Sequence, residues 1–178
     1  MGFDLSGNLT YLDAEITSQP GAEDGWFCFE RALLGLSPCP AEDPDQERPD
    51  GSPRRPADFV GNQLPWSPKW SVTITGEHNW YLDNGLRLSP VATIHWQDEI
   101  FFQDNNYDEG PFHSGQEAYA TVNMSLRLIN EAKRWGAELY VYNLTDERTR
   151  YWADYGPGYI KSSFAPPRAY GVKVRYDF

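Results

Sequence analysis

The sequence predicts an all-β chain: an antiparallel transmembrane β-barrel segment of about six strands, with long extracellular loops and short periplasmic turns. Three observations predict it. The run Tyr170–Phe178 alternates without a break, with Tyr170, Val172, Val174, Tyr176 and Phe178 on one face and Gly171, Lys173, Arg175 and Asp177 on the other. Five earlier stretches repeat the same period of two. The connections between them run long, short, long, short, long. Period-two alternation describes a strand between two different environments. The apolar face is expected to meet lipid and the polar face a water-filled lumen.

The first strand is expected over about Phe3 to Ile16. Phe3, Leu5, Leu9 and Tyr11 share a face, and the phase changes near Leu12, as at a bulge or an exit from the membrane. Residues 17 to about 65 hold Pro20, Pro38, Pro40, Pro44, Pro49, Pro53 and Pro56 among dispersed acids, which is loop rather than strand material. Trp26-Phe27-Cys28-Phe29 within it reads either as a small packed knot or as an aromatic contact surface. Cys28 and Cys39 lie close together in this loop, and an oxidising compartment would let them pair as a disulfide, the alternative being two free thiols. Closing a loop of this length would contribute roughly 2.5–3 kcal/mol on the chain-entropy account.

The second strand spans about Lys69 to Tyr81, with Trp70, Val72, Ile74 and Trp80 on its apolar face. Asn84-Gly85 follows, a strong hairpin signal. The third spans about Leu86 to Phe102. Pro90 falls in its middle, lacks a ladder donor and predicts a bulge there. An acidic loop covers residues 103 to 115. The fourth strand spans about Glu117 to Ile129, and the turn Asn130–Arg134 leads into a fifth that begins at Trp135. A loop at about 147–166 precedes the closing strand. Each apolar face runs for about ten residues, the length a tilted barrel strand needs to cross a bilayer. Trp80, Trp135 and Phe178 fall toward the short turns, and Tyr11, Trp70 and Trp96 toward the long loops, as two aromatic belts would.

Composition agrees with this and removes other classes. Mean hydropathy is −0.64 with 23% charged residues. A barrel gives such an average because only alternate residues are apolar. A net charge of −11 argues against nucleic acid as a partner and against a basic membrane-surface anchor. No stretch approaches the roughly 18 apolar residues of a membrane-spanning helix. Met1-Gly2-Phe3-Asp4 runs directly into a strand with no basic or apolar leader, so the sequence is expected to be a piece of a longer exported protein.

No catalytic constellation stands out, no cofactor is implied, and the chain is expected not to be an enzyme. His78, His95 and His113 are scattered over two strands and a loop. Asp104, Asn105, Asn106, Asp108 and Glu109 offer oxygen ligands, but their spacing fits no EF-hand. Asn8-Leu9-Thr10, Asn123-Met124-Ser125 and Asn143-Leu144-Thr145 match the glycosylation pattern but lie in strands, where it carries no meaning.

Three stretches resemble the C-terminal barrel region of TonB-dependent outer-membrane receptors. Gly61-Asn62-Gln63-Leu64-Pro65-Trp66-Ser67-Pro68-Lys69-Trp70-Ser71 is similar to their segment that returns to a strand after an outer loop. Asn143-Leu144-Thr145-Asp146-Glu147-Arg148 is similar to the element atop their penultimate strand, and Ala165-Pro166-Pro167-Arg168-Ala169-Tyr170-Gly171 with the run to Phe178 resembles their last strand. Such receptors have about 22 strands around a plugged lumen. The resemblance therefore implies that residues 1–178 are the C-terminal portion of such a barrel, in the outer membrane of a Gram-negative bacterium, with the plug and most strands elsewhere.

The implied function is uptake of a scarce nutrient, such as a ferric siderophore. The implied partners are outer-membrane lipid, the barrel-assembly machinery, a small-molecule or metal-chelate ligand, and TonB through the missing N-terminal part. Outer-loop aromatics Trp26, Phe101, Phe102, Tyr107, Trp152, Tyr155 and Tyr159 are candidate ligand contacts, with loop self-packing as the competing role. Lumen-facing Arg87, Arg127, Lys173 and Arg175 are expected to be hydrated or to touch a plug. Tyr170, Val172, Val174, Tyr176 and Phe178 would be the signal read during barrel assembly. Two alternatives stand beside this reading. One is a complete eight-stranded barrel with a structural or adhesion role, which needs two strands that residues 17–65 do not supply. The other is a soluble lipocalin-like barrel, whose apolar face would point inward.

Overall fold

The computed structural model describes residues 2–18, 43–47, 53–54, 59–104, 106, 108–109, 112–156 and 159–178. In chain order the strands are β1 (Gly2–Tyr11), β2 (Asp43–Glu47), β3 (Pro53–Arg54), β4 (Trp70–Tyr81), β5 (Leu86–Gln97), β6 (Ile100–Phe101), β7 (Asp108–Glu109), β8 (Phe112–His113), β9 (Gly115–Gln116), β10 (Tyr119–Asn130), β11 (Trp135–Tyr142), β12 (Arg150–Gly156), β13 (Tyr159–Phe164) and β14 (Ala169–Tyr176). Six of them form one antiparallel sheet in the order β1-β4-β5-β10-β11-β14, and the other eight pair off as two-stranded ribbons. Among the described residues there is no α-helix, only the 3-10 turn Asp83–Gly85. The sheet is a segment of barrel wall, open along β1 and β14.

Register turns six separate alternations into two continuous faces. The rung Leu5, Gly76, Ala92, Met124, Val141, Tyr170 crosses all six strands on the apolar side. A slip of one residue at any strand would carry its apolar set to the other face, and no strand slips. The opposite face aligns Thr73 with His95 and Thr75 with Thr93, whose side chains hydrogen-bond at 2.9 and 3.0 Å.

Among the described residues no second layer covers the apolar face. Val174 is 77% exposed and Tyr170 81%, while the buried apolar residues among those described are Phe59, Ile100, Phe102 and Ala153, none of them in the six-stranded sheet. A soluble domain does not leave a face of this extent bare. Aromatic rings bound it at both ends. Tyr11 and Trp70 meet at 4.5 Å at the loop end, and Tyr176 and Phe178 at 5.2 Å at the turn end. Trp70 and Trp80 are ten residues apart on β4, about 33 Å along a strand. A tilt of about 40° reduces that to about 25 Å, the height of a barrel's apolar band.

The short turns and the C-terminus share one end, where the Asp177 amide donates to the Arg134 carbonyl at 2.9 Å. The Asn84-Gly85 hairpin forms, but with three loop residues rather than two. Asp83–Gly85 curl as a 3-10 turn, Gly85 takes φ +72°, and the Leu82 amide donates to the Leu86 carbonyl at 2.8 Å. That geometry needs glycine at its last position, which the residues supply.

Four expectations are corrected. β1 stops at Tyr11 rather than Ile16, so the phase change at Leu12 marks the strand's exit. Pro90 makes no bulge: Glu77 faces Val91 and Trp80 faces Leu88 in unbroken register. The ladder lapses between those pairs, and the Asn79 carboxamide oxygen accepts from the Ser89 hydroxyl at 2.6 Å and from Arg87 at 3.2 Å, bridging the gap with side chains. The third strand ends at Gln97, and a separate ribbon pairs Ile100 and Phe101 with Gln116 and Gly115. The stretch 147–166 is no plain loop but the hairpin β12–β13.

Candidate functional site

The loop end of the wall carries a built rim. After β1 leaves the sheet, the Gly61–Ser67 segment crosses it. The Leu64 amide donates to the Ala14 carbonyl at 3.0 Å and the Trp66 amide to the Phe101 carbonyl at 2.9 Å. Gln63 and Asn106 exchange two bonds of 2.8 Å, and the Gln63 carboxamide also donates to the Ser67 carbonyl. The Trp66 ring lies 4.9 Å from that of Phe102. A second seam joins β9 to β12: the Arg150 amide donates to Gln116 at 2.7 Å and its guanidinium to the His113 carbonyl at 3.2 Å. Ile100, Phe102 and Ala153 form the small core beneath these seams.

The turn after β11 is fixed by its own side chains. Asn143 sits at φ +52°, a conformation asparagine tolerates better than most residues. Its carboxamide donates to the Glu147 carbonyl and accepts from the Glu147 amide, both at 2.9 Å. Its amide donates to Asn123 at 2.8 Å, which ties the turn to β10. Arg168 closes it from the other side, donating its amide to Asp146 at 3.0 Å and its guanidinium to the Leu144 carbonyl at 3.2 Å. Two of the stretches singled out in the sequence, Asn143–Arg148 and Ala165–Gly171, thus meet.

The sequence candidates are distributed over this rim. Phe102 is buried against Trp66, and Phe101 is half-buried with its ring 6.0 Å from that of His113. Trp152 is exposed beside buried Ala153 on β12, so the three are brought to one rim. Tyr155 pairs with Ile160, and Tyr159 with Gly156, in the β12–β13 ribbon. Trp26, Tyr107, Cys28 and Cys39 lie outside the described residues. A cleft of about 350 Å³ where β1 leaves the wall is lined by Asp13, Glu15, Asn62, Gln63, Lys69 and Asn106. There the Asp13 carboxylate, 3.4 Å away, holds the Lys69 ammonium above its ordinary pKa. Among the described residues no group of three His, Cys, Asp or Glu is placed to hold a metal ion.

The polar face of the wall divides by height. Its turn-side half is charged and paired: Arg127 with Glu77 at 3.0 Å, Lys173 with Glu138 at 3.6 Å, Arg87 with Glu131 at 3.6 Å and Arg175 with Asp177 at 2.9 Å. Arg127, Glu138, Lys173, Arg175 and Asp177 line a cleft of about 740 Å³ there. The loop-side rungs carry Tyr142, and His95 and Tyr119 with rings 6.3 Å apart, among threonine and amide side chains; Tyr140, its ring 5.0 Å from that of Tyr142, stands at the boundary, level with Glu77. The aromatic candidates named from the sequence are loop residues and do not include these wall rings. Their signal was present as rings at polar-face positions of the predicted strands.

No family model and no curated protein matches the chain. Among solved structures, the siderophore receptor PiuA from Acinetobacter baumannii is similar over 97% of this chain and 19% of its own, at 18% identity and a TM-score of 0.59. The ferric yersiniabactin uptake receptor FyuA from Yersinia pestis is similar over 67% of this chain and 18% of its own, at 23% identity and a TM-score of 0.59. At these identities the likeness is one of fold, and the chain spans under a fifth of the length of either receptor.

Proposed function

We propose that residues 1–178 form the C-terminal portion of the barrel of a TonB-dependent outer-membrane receptor that takes up a scarce nutrient such as a ferric siderophore. One observation carries this reading: an apolar face continuous over six registered strands, uncovered by any other described residue and bounded by aromatic rings, on a fold shared with two siderophore receptors. Lipid is the cover such a face requires. The two free sheet edges would be joined by further strands of the receptor, since lipid tolerates no open edge. The rim, with Phe101 and Trp152, would form part of the outer mouth, and the polar face part of the lumen. TonB would act through the plug, not through this wall.

The reading is tested on the whole polypeptide that carries these strands, in outer-membrane vesicles. Heat-modifiable migration and protection of the wall strands from trypsin are expected, together with energy-dependent uptake of a radiolabelled ferric chelate. Migration unaffected by heating, with full digestion of the wall, would refute the membrane placement. Uptake that persists after the inner-membrane energy source is collapsed would refute TonB dependence.

A further inference from the structure

We infer that the loop-side half of the lumen wall is built for an electrically neutral chelate rather than a polyanionic one. The inference rests on the receptor reading above and names the class of ligand this wall suits. It starts from where the charges are. On the polar face, every Lys, Arg, Asp and Glu of the six wall strands lies on the rung Asp4–Glu77–Val91–Ser125–Tyr140 or on its turn side. From Thr73, His95 and Tyr119 across to Tyr142, the three loop-side rungs carry hydroxyls, carboxamides and rings only, while Tyr140 lies one rung lower, level with Glu77 and 4.7 Å from the Lys173 ammonium. The cations below it are already matched at 3.0–3.6 Å by Glu77, Glu131 and Glu138.

The approach to this wall is acidic. The described stretches 12–18, 59–69, 98–104 and 112–118, which flank the wall at its loop end, carry six Asp and Glu against one Lys. In residues 143–168 four Lys and Arg face three acids, but Arg150 and Arg168 are committed to rim bonds within the chain. A trianion would descend past this acidic rim and reach three rungs of wall that carry no cation to receive it. Screening acts over about 8 Å at physiological ionic strength, which does not remove repulsion from carboxylates at the mouth itself. A neutral chelate meets no such opposition. Stacked rings with hydroxyl and amide donors suit an uncharged polar surface, because each contributes contact area and hydrogen bonds without a net charge to desolvate. Tyr142, half exposed beside Tyr140, presents the most accessible ring.

The test uses the intact receptor in proteoliposomes and two iron-55 chelates of similar size, a neutral ferric trihydroxamate and a trianionic ferric tricatecholate. The trihydroxamate is expected to bind at least tenfold more tightly. Tyr142→Ala should weaken it about threefold to tenfold. Tyr142→Arg should narrow the preference by raising tricatecholate affinity about fivefold, a readout confined to this wall and unaffected by charges elsewhere in the barrel. Tighter binding of the tricatecholate to the unaltered receptor, or no response to Tyr142→Arg, overturns the inference while leaving the receptor reading intact. Failure to bind either chelate overturns both.

Discussion

The ring of Tyr140 lies across Gly171: a Cβ added at Gly171 would stand 2.5 Å from the tyrosine hydroxyl and 2.7 Å from Cζ. The two residues face each other across the β11–β14 pair, and the Lys173 ammonium sits 4.7 Å from the centre of the same ring. A glycine inside a strand normally weakens it. Here the missing side chain is replaced by a neighbour's ring, so the strand has no bare backbone on its lumen side. Gly171→Val should therefore displace Tyr140 and destabilise the wall by about 1–3 kcal/mol through overpacking. In a Tyr140→Ala background the same substitution should cost much less. Urea unfolding of the four proteins of this cycle in detergent micelles measures the coupling; an equal cost in both backgrounds would show that the ring does not fill the glycine's place.

The two faces predict opposite responses to the same substitution. Leu139 pairs with Leu126 and Val172 on the apolar face, and Ser125 pairs with Tyr140 on the polar one. Leu139→Arg places a guanidinium in lipid near mid-strand, which costs about 2–4 kcal/mol at the bilayer centre. Ser125→Arg places it in the lumen, where it stays hydrated. Outer-membrane yield and unfolding midpoint should both fall for Leu139→Arg and change little for Ser125→Arg. The reverse order would mean that the apolar face points inward, as in a soluble lipocalin-like barrel.

Asn143 predicts a local effect without loss of the wall. Its side chain makes both bonds to Glu147, and its backbone occupies the left-handed region. Asn143→Ala removes two hydrogen bonds and leaves a β-carbon in a conformation alanine disfavours, at a combined cost of roughly 2–3 kcal/mol. The strands below do not depend on it. The expected outcome is a normal heat-modifiable barrel whose turn is cut faster by trypsin after exposed Arg148. Asn143→Gly restores the backbone freedom but not the bonds, so its cutting rate should fall between wild type and Asn143→Ala.

What the sequence made legible followed from periodicity. Each wall strand alternates on its own, and antiparallel register aligns the six apolar sets with no further information. The hairpin β12–β13 escaped detection because its register shifts between Arg150 and Trp152, which breaks the alternation. It also lies off the lipid-facing sheet, so no continuous apolar stripe marks it. Pro90 misled in the opposite sense. A missing amide donor predicts a bulge, yet Asn79, Arg87 and Ser89 span the gap with side-chain bonds that only the paired strands bring together. The charge partition of the polar face was hidden for the same reason. No single strand displays it, and it emerges only when strand positions are aligned rung by rung across the sheet.

Phe178 gives the last prediction. β14 ends at Tyr176, and beyond it the Asp177 amide is tied to the Arg134 carbonyl while Asp177 accepts from the Arg175 guanidinium at 2.9 Å. These contacts hold the backbone against the neighbouring turn. The Phe178 ring, fully exposed, touches the Tyr176 ring at 5.2 Å and completes the exposed row Tyr170, Val172, Val174, Tyr176. Among the described residues no second layer packs on this row, which is exposed from Tyr170 to Phe178. On the proposed receptor reading, this row would serve as the signal read during barrel assembly and would then sit in the lipid interface. Phe178→Asp in the whole receptor should lower the assembled, heat-modifiable fraction severalfold, while Phe178→Trp should keep it near normal. Because position 178 lies beyond the β11–β14 ladder, the unfolding midpoint of whatever Phe178→Asp protein does assemble should stay close to wild type. A drop in midpoint that matches the drop in yield would mean that Phe178 acts through stability rather than as an assembly signal.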